Sequence, residues 1–178
     1  VEKRIGFRTL EFKKKDGTLA TVDDIQNINQ QLDLWTGIIS SSFTVEGVPV
    51  KVTTAGHQQM DVVSFRIESP LIERKNIAVF LSFPYPNGQW KDAGDNHKND
   101  EKHKSVIIPE KDGATIKRIL DTTVYYASVY WNRYSRIKQV KEHCFIIEPG
   151  SDNEFEMACH FSKTYRRTFM ISFDEVSI

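Results

Sequence analysis

Alternation with a period of two is the feature that most constrains what this chain can fold into. Over residues 40–54, Phe43 and Val45 alternate with Thr44 and Glu46, Gly47 allows a tight reversal, and Val48, Val50 and Val52 alternate with Pro49, Lys51 and Thr53. Successive side chains of a strand point to opposite faces, so this pattern specifies a hairpin with one buried face. The same strand character recurs over residues 61–69, 77–83, 114–120, 124–131, 137–148, 154–162 and 167–173. Val, Ile, Tyr, Phe, Trp and Thr dominate these runs and suit a pleated, half-buried surface. Many short strands broken by turns predict an all-β antiparallel sandwich. Only residues 21–31, with Thr21 as an N-cap and Asp24 three positions on, read as a helical turn or two, so at most one short helix is expected.

Residues 148–154 (EPGSDNE) form a turn-rich connector between two strand patterns, which predicts a further hairpin over residues 141–162. A turn centred near Ser151 and Asp152 would set Cys144 opposite Cys159, Ile146 opposite Met157 and His143 opposite His160. The cysteines would then share the apolar face as free thiols, because a cross-strand disulfide is usually strained. His143 and His160 would sit as a surface pair on the outer face.

Residues 84–105 break the strand pattern with PYPNGQWKDAGDNHKNDEKHKS, a polar connection longer than compact domains ordinarily use. Trp90 stands in its middle, flanked by Gln89, Lys91 and Asp92. An aromatic face can stack on the C–H face of a sugar while neighbouring amides and carboxylates bond its hydroxyls, which makes Trp90, Gln89 and Asp92 the candidate substrate-binding residues. The competing reading is that Trp90 folds back over the edge of the sandwich. His97 and His103, with Asp95, Asp100 and Glu101, have the composition of a cation site but not its spacing on a rigid frame, so no metal and no cofactor are expected. Tyr85, Tyr125, Tyr126, Tyr130, Trp131, Tyr134 and Trp35 read as packing on sheet faces.

Lys plus Arg total 24 and Asp plus Glu total 24, so the net charge is zero. A nucleic-acid or membrane-surface protein needs a basic field, so neither partner is expected. The 178 residues suffice for one domain, read here as spanning the whole chain. No GxSxG, HExxH, P-loop or GxGxxG motif is present, and no catalytic residues are assigned. Val1 stands where a methionine would begin a chain, which suggests excision from something longer.

Residues 31–70, QLDLWTGIISSSFTVEGVPVKVTTAGHQQMDVVSFRIESP, resemble the N-terminal β-sandwich of six-hairpin glycosidases, whose catalytic domain is an (α/α)6 barrel, particularly relatives of glycoside hydrolase families 65 and 95. The residues that carry the likeness are Leu32, Asp33, Leu34, Thr36, Gly37, Phe43, Val50, His57, Asp61, Val62, Val63, Arg66 and Ser69, and the runs 127–131 and 160–162 are similar in order and character. The resemblance implies a galactose-mutarotase-like super-sandwich. It also implies a non-catalytic domain that supports a helical catalytic barrel following residue 178 in the same polypeptide, a carbohydrate substrate, and catalytic carboxylates outside this chain. His57 then reads as a structural histidine that bonds turn backbone. Enzymes of this kind are frequently exported, which favours a periplasmic or extracellular location. The rival expectations are a free-standing carbohydrate-binding module and a small mutarotase-type epimerase.

Overall fold

The computed structural model describes residues 10–85, 99–132, 134–150, 152–165 and 172–177. Among these residues, twelve strands in two antiparallel sheets make an all-β sandwich. One sheet has four strands in the order β1 (Leu10–Phe12), β6 (Ile77–Ser82), β11 (Cys144–Glu148), β10 (Arg136–Lys141). The other has eight, in the order β2 (Ile25–Leu32), β3 (Ile39–Val45), β4 (Val48–Gly56), β5 (Val62–Glu68), β12 (Glu154–Ser162), β9 (Thr123–Trp131), β8 (Gly113–Leu120), β7 (His103–Glu110). The core lies between the sheets, where Phe12, Val50, Ile67, Leu81, Ile116, Val129, Phe145 and Phe155 are buried together.

The β3–β4 hairpin forms as its alternation requires. Val45 pairs with Val48 across a two-residue turn in which Glu46 and Gly47 take φ of 48° and 75°. Two consecutive positive φ values define the turn whose twist matches a hairpin, and Gly47 supplies one of them without strain. Thr21 and Asp24 form the anticipated capping box, but it caps only a 3-10 turn over Val22–Asp24. The chain then enters β2 instead of continuing as helix, because pairing with β3 overrides the weak strand preference of its Gln and Asn residues. Two four-residue helices, α1 (Pro70–Glu73) and α2 (Phe173–Val176), are present where at most one was expected. The second stands at the end of the run read as a strand over 167–173, of which 167–171 lie outside the described residues.

The hairpin expected over residues 141–162 does not exist. The run 137–148 is itself a hairpin, β10–β11, turning at Glu142 and His143, with Lys141 paired to Cys144. β11 continues into the small sheet beside β6, while β12 lies in the large sheet between β5 and β9. Cys144 therefore neighbours Ser82 and Cys159 neighbours Val63 and Val129, in different sheets. Both cysteines are buried free thiols. The strand β7, hidden in a segment read as loop up to residue 105, tolerates Pro109 because it is an edge strand that need not donate on its outer side.

Candidate functional site

Chain alternation sends Arg118 of β8 inward, between the sheets, and pairs it across the ladder with Ser105 of β7. Its side chain is fully buried. A guanidinium in such a place ordinarily meets a carboxylate, since an unpaired buried charge is costly. Among the described residues, its hydrogen-bond acceptors are neutral. Nη1 donates to the Ser105 hydroxyl, lies 3.4 Å from the Lys104 carbonyl and 3.1 Å from His143 Nδ1. Nη2 donates to the Phe83 carbonyl at 3.3 Å and to His103 Nδ1 at 2.5 Å. The guanidinium also lies over the Phe83 ring, 5.1 Å from its centroid. Tyr125 of β9 adds a further hydrogen-bonding hydroxyl to the cation.

His103 and His143 stack face to face, with centroids 3.7 Å apart and an interplanar angle of 23°. Both are buried. His143 occupies the β10–β11 turn at a φ of 60°, a left-handed conformation that a histidine adopts only at some cost. Tertiary bonds hold it there. Its Nε2 donates to the Asp100 carbonyl at 2.9 Å, its Nδ1 accepts from Ser105 Oγ at 2.8 Å, and its carbonyl accepts the Phe83 amide at 3.0 Å.

An arginine can only donate, so the Nδ1 atoms it faces must carry lone pairs, and both imidazoles are held as the Nε2–H tautomer. Burial, followed by the charge of Arg118 and the neighbouring His143, pushes His103 down to about 4. Its ring is therefore neutral across the physiological range. Its Nε2 has no hydrogen-bond partner and lies 3.7 Å from a carboxylate oxygen of Asp100.

Asp100, His103 and His143 place one ligand-type atom each within 4.8 Å of one another. The donor chemistry does not suit a cation. A metal-bound imidazole gives its lone pair at one nitrogen and donates N–H from the other to an acceptor, whereas here the other nitrogen of each ring meets guanidinium N–H groups. The cluster instead joins two stretches of chain. Phe83 and Tyr85 follow β6, and Asp100 and His103 precede and open β7, so both flanks of residues 86–98 are tied to the β10–β11 turn. Tyr85 adds an edge contact to His103 at 5.5 Å between centroids and a hydroxyl donated to Asp121, the first residue of the β8–β9 turn.

Trp90, Gln89 and Asp92 lie outside the described residues, as do Asp95 and His97. Of the aromatics read as sheet packing, Tyr125, Tyr130 and Trp131 are buried, but Trp35 is 97% exposed and Tyr134 91%. Trp35 is carried by the turn between β2 and β3, not by a sheet face. Asp33 builds that turn, because its carboxylate accepts the Trp35 amide at 2.8 Å and its carbonyl accepts the Gly37 amide at 2.8 Å. Gly37 takes a φ of 72°, and Leu34 beside Trp35 is equally uncovered.

Four further polar residues of the 31–70 stretch, His57, Asp61, Arg66 and Ser69, act as fasteners. His57 Nδ1 accepts the amides of Gln59 and Met60 at 3.0 and 3.1 Å, the turn-bonding role its position suggested. The Asp61 carbonyl accepts the Phe161 amide at 2.9 Å, and Ser69 caps α1 by accepting the Leu71 amide. Arg66 pairs with Glu156 and with Asp174 of α2, its guanidinium 4.8 Å from the Phe173 ring centroid.

His143 and His160 are not a surface pair. His143 is buried between the sheets against His103, while His160 pairs with Val62 and Ser128 in the large sheet. The sequence signal for the buried cluster was weak: an arginine in phase with the inward apolar positions Ala114, Ile116 and Leu120 is the one trace it leaves. Compared with known proteins, the chain matches no protein-family model and no curated sequence.

Proposed function

We propose that this chain is the non-catalytic N-terminal sandwich domain of a larger carbohydrate-active enzyme of the six-hairpin type, where it supports a helical catalytic barrel and part of its substrate access. The observation that carries the reading is the β2–β3 turn. Its backbone is fixed by Asp33 and Gly37, and yet it presents Leu34 and Trp35 almost wholly uncovered. A rigid, uncovered apolar tip is what a domain offers to a neighbour in the same polypeptide. The polar residues His57, Ser69 and Arg66 of the likeness support a scaffold role in the same way, since they are engaged in a turn, a cap and an ion pair.

The full-length polypeptide tests this reading. Replacing Leu34 and Trp35 together by Ser should lower its melting temperature and its turnover of the natural glycan, while the sandwich by itself melts unchanged. An unaltered parent enzyme would refute the docking role. The isolated chain should hydrolyse and phosphorolyse no glycan, and turnover by it would place the chemistry here.

A second reading, a free-standing carbohydrate-binding module, is favoured by one feature. A cleft of about 540 Å³ crosses the outer face of the four-stranded sheet, between Lys13 and Lys75 on one side and Tyr134 and Arg136 on the other, with Ala78 and Ile146 in its floor. An exposed aromatic beside polar groups suits a sugar ring. Glycan affinity of the isolated chain that disappears in Tyr134→Ala would favour this reading over the first.

A further inference from the structure

We propose that the His103–Arg118–His143 stack is an acid-released fastener, which holds the two stretches flanking residues 86–98 to the β10–β11 turn at neutral pH and lets them go when His103 takes up a proton. The inference rests on geometry within this chain and does not depend on the carbohydrate reading.

The argument turns on where the proton must go. His103 Nε2 already carries hydrogen, because Nδ1 accepts from Arg118. A second proton can therefore enter only at Nδ1. There it would oppose a guanidinium N–H across 2.5 Å and add a positive charge beside one that is already buried and has no hydrogen-bonded carboxylate among the described residues. The bond cannot survive that change, so the imidazolium or the guanidinium must swing away. Arg118 also holds the Phe83 carbonyl, and His143 holds both the Phe83 amide and the Asp100 carbonyl, so loss of the stack frees both flanks together.

Every charged or titratable group around His103 bears on the balance. Arg118 of β8 opposes protonation, as does His143 of the β10–β11 turn, while Asp100, 3.7 Å from Nε2, favours it. Glu142, 3.8 Å from His143 Nε2, lies one residue further out on that turn. Tyr85 covers one side of the ring, with Lys102 5.9 Å from the tyrosine centroid, and Tyr125 bonds Arg118 from β9. Asp100, the one carboxylate near Nε2 among the described residues, lies beyond hydrogen-bond length at 3.7 Å, and burial dominates, which keeps His103 neutral until well below its usual range.

Amide hydrogen exchange on the full chain tests the proposal, with the Phe83 amide as reporter because it bonds the His143 carbonyl. After correction for the intrinsic rate, its protection should fall about tenfold per pH unit between pH 6 and pH 4.5, while the Val129 amide in the core, which exchanges only on global unfolding, stays the more protected of the two at every pH. His103→Gln, whose amide oxygen still accepts from Arg118, should leave Phe83 protection flat with pH. Constant protection in the native protein, or the same fall in the glutamine variant, would overturn the proposal. Nitrogen-15 correlation spectra of the native imidazoles at pH 7 provide a test that needs no variant. They should show His103 protonated at Nε2 only, and an Nδ1–H tautomer would equally overturn the mechanism.

Discussion

Replacement of Arg118 by Met separates a cation coordinated by neutral acceptors from one that belongs to an ion pair. Methionine refills most of the stem and leaves no charge behind. After the substitution the Ser105 hydroxyl still donates to His143 Nδ1, and the Lys104 carbonyl was only 3.4 Å from the guanidinium. The Tyr125 hydroxyl can rotate, so the fixed acceptors that lose their donor are the Phe83 carbonyl and His103 Nδ1. At about 1–3 kcal/mol for each orphaned buried group, the loss is about 2–6 kcal/mol. Against it stands relief from holding a guanidinium out of water, worth several kcal/mol. The two largely offset each other, so any net destabilisation should stay below about 3 kcal/mol, smaller than the 3–5 kcal/mol or so typical of breaking a buried ion pair, where a charge is stranded. Urea denaturation at pH 7 with a common slope measures it. The same variant should raise the protonation range of His103, because the repelling charge is gone. A loss well above 4 kcal/mol, or a protonation range of His103 no higher than in the native protein, would refute neutral coordination of this arginine.

Other predictions follow from single sites. His103 sits at about 4 in the fold against 6.5 in an unfolded chain, so as pH falls from 6.5 the unfolded state takes the proton first. The contribution, full above pH 6.5, should erode by about 1.4 kcal/mol per pH unit down to pH 4, to a total of about 3.4 kcal/mol, with no further change below. Urea melts of the native protein minus those of His103→Gln isolate that slope, and a flat difference would contradict the assignment. A Cβ at Gly113 would lie 2.3 Å from the Val129 carbonyl oxygen, so Gly113→Ala should cost about 1–3 kcal/mol, whereas Gly56→Ala, with open space around it, should be neutral or slightly stabilising in the same melts. Burial pushes the Cys159 thiol up and Cys144 is equally enclosed, so thiol titration should count two groups in denaturant and almost none in the native protein.

Where local chemistry and tertiary pairing agreed, the fold was legible in the residues. The β3–β4 hairpin combines period-two valines with a glycine at a positive φ, and the register follows from both. The β10–β11 hairpin was invisible because its turn is Glu142–His143, without the glycine or asparagine that marks such turns. The left-handed conformation of His143 is supported by bonds to Asp100, Ser105 and Phe83, from segments distant in sequence. The same bonds create the buried cluster, so missing the turn meant missing the site, and the expected facing of Cys144 and Cys159 failed with it. β2 escaped detection for the opposite reason: its Gln and Asn residues have little strand preference, and only the β3 partner makes them extended. His57 was legible because a histidine two residues before a turn can act locally, with no distant partner.

The central claim is that this sandwich works as one domain of a larger carbohydrate-active enzyme, and the mass of the native polypeptide tests it most directly. An antibody raised against the chain should detect, in its source cells, a species far heavier than 20.6 kDa, with glycan-cleaving activity that co-purifies. A native species near 20.6 kDa would contradict the account and would turn the search for function to glycan binding by the sandwich alone.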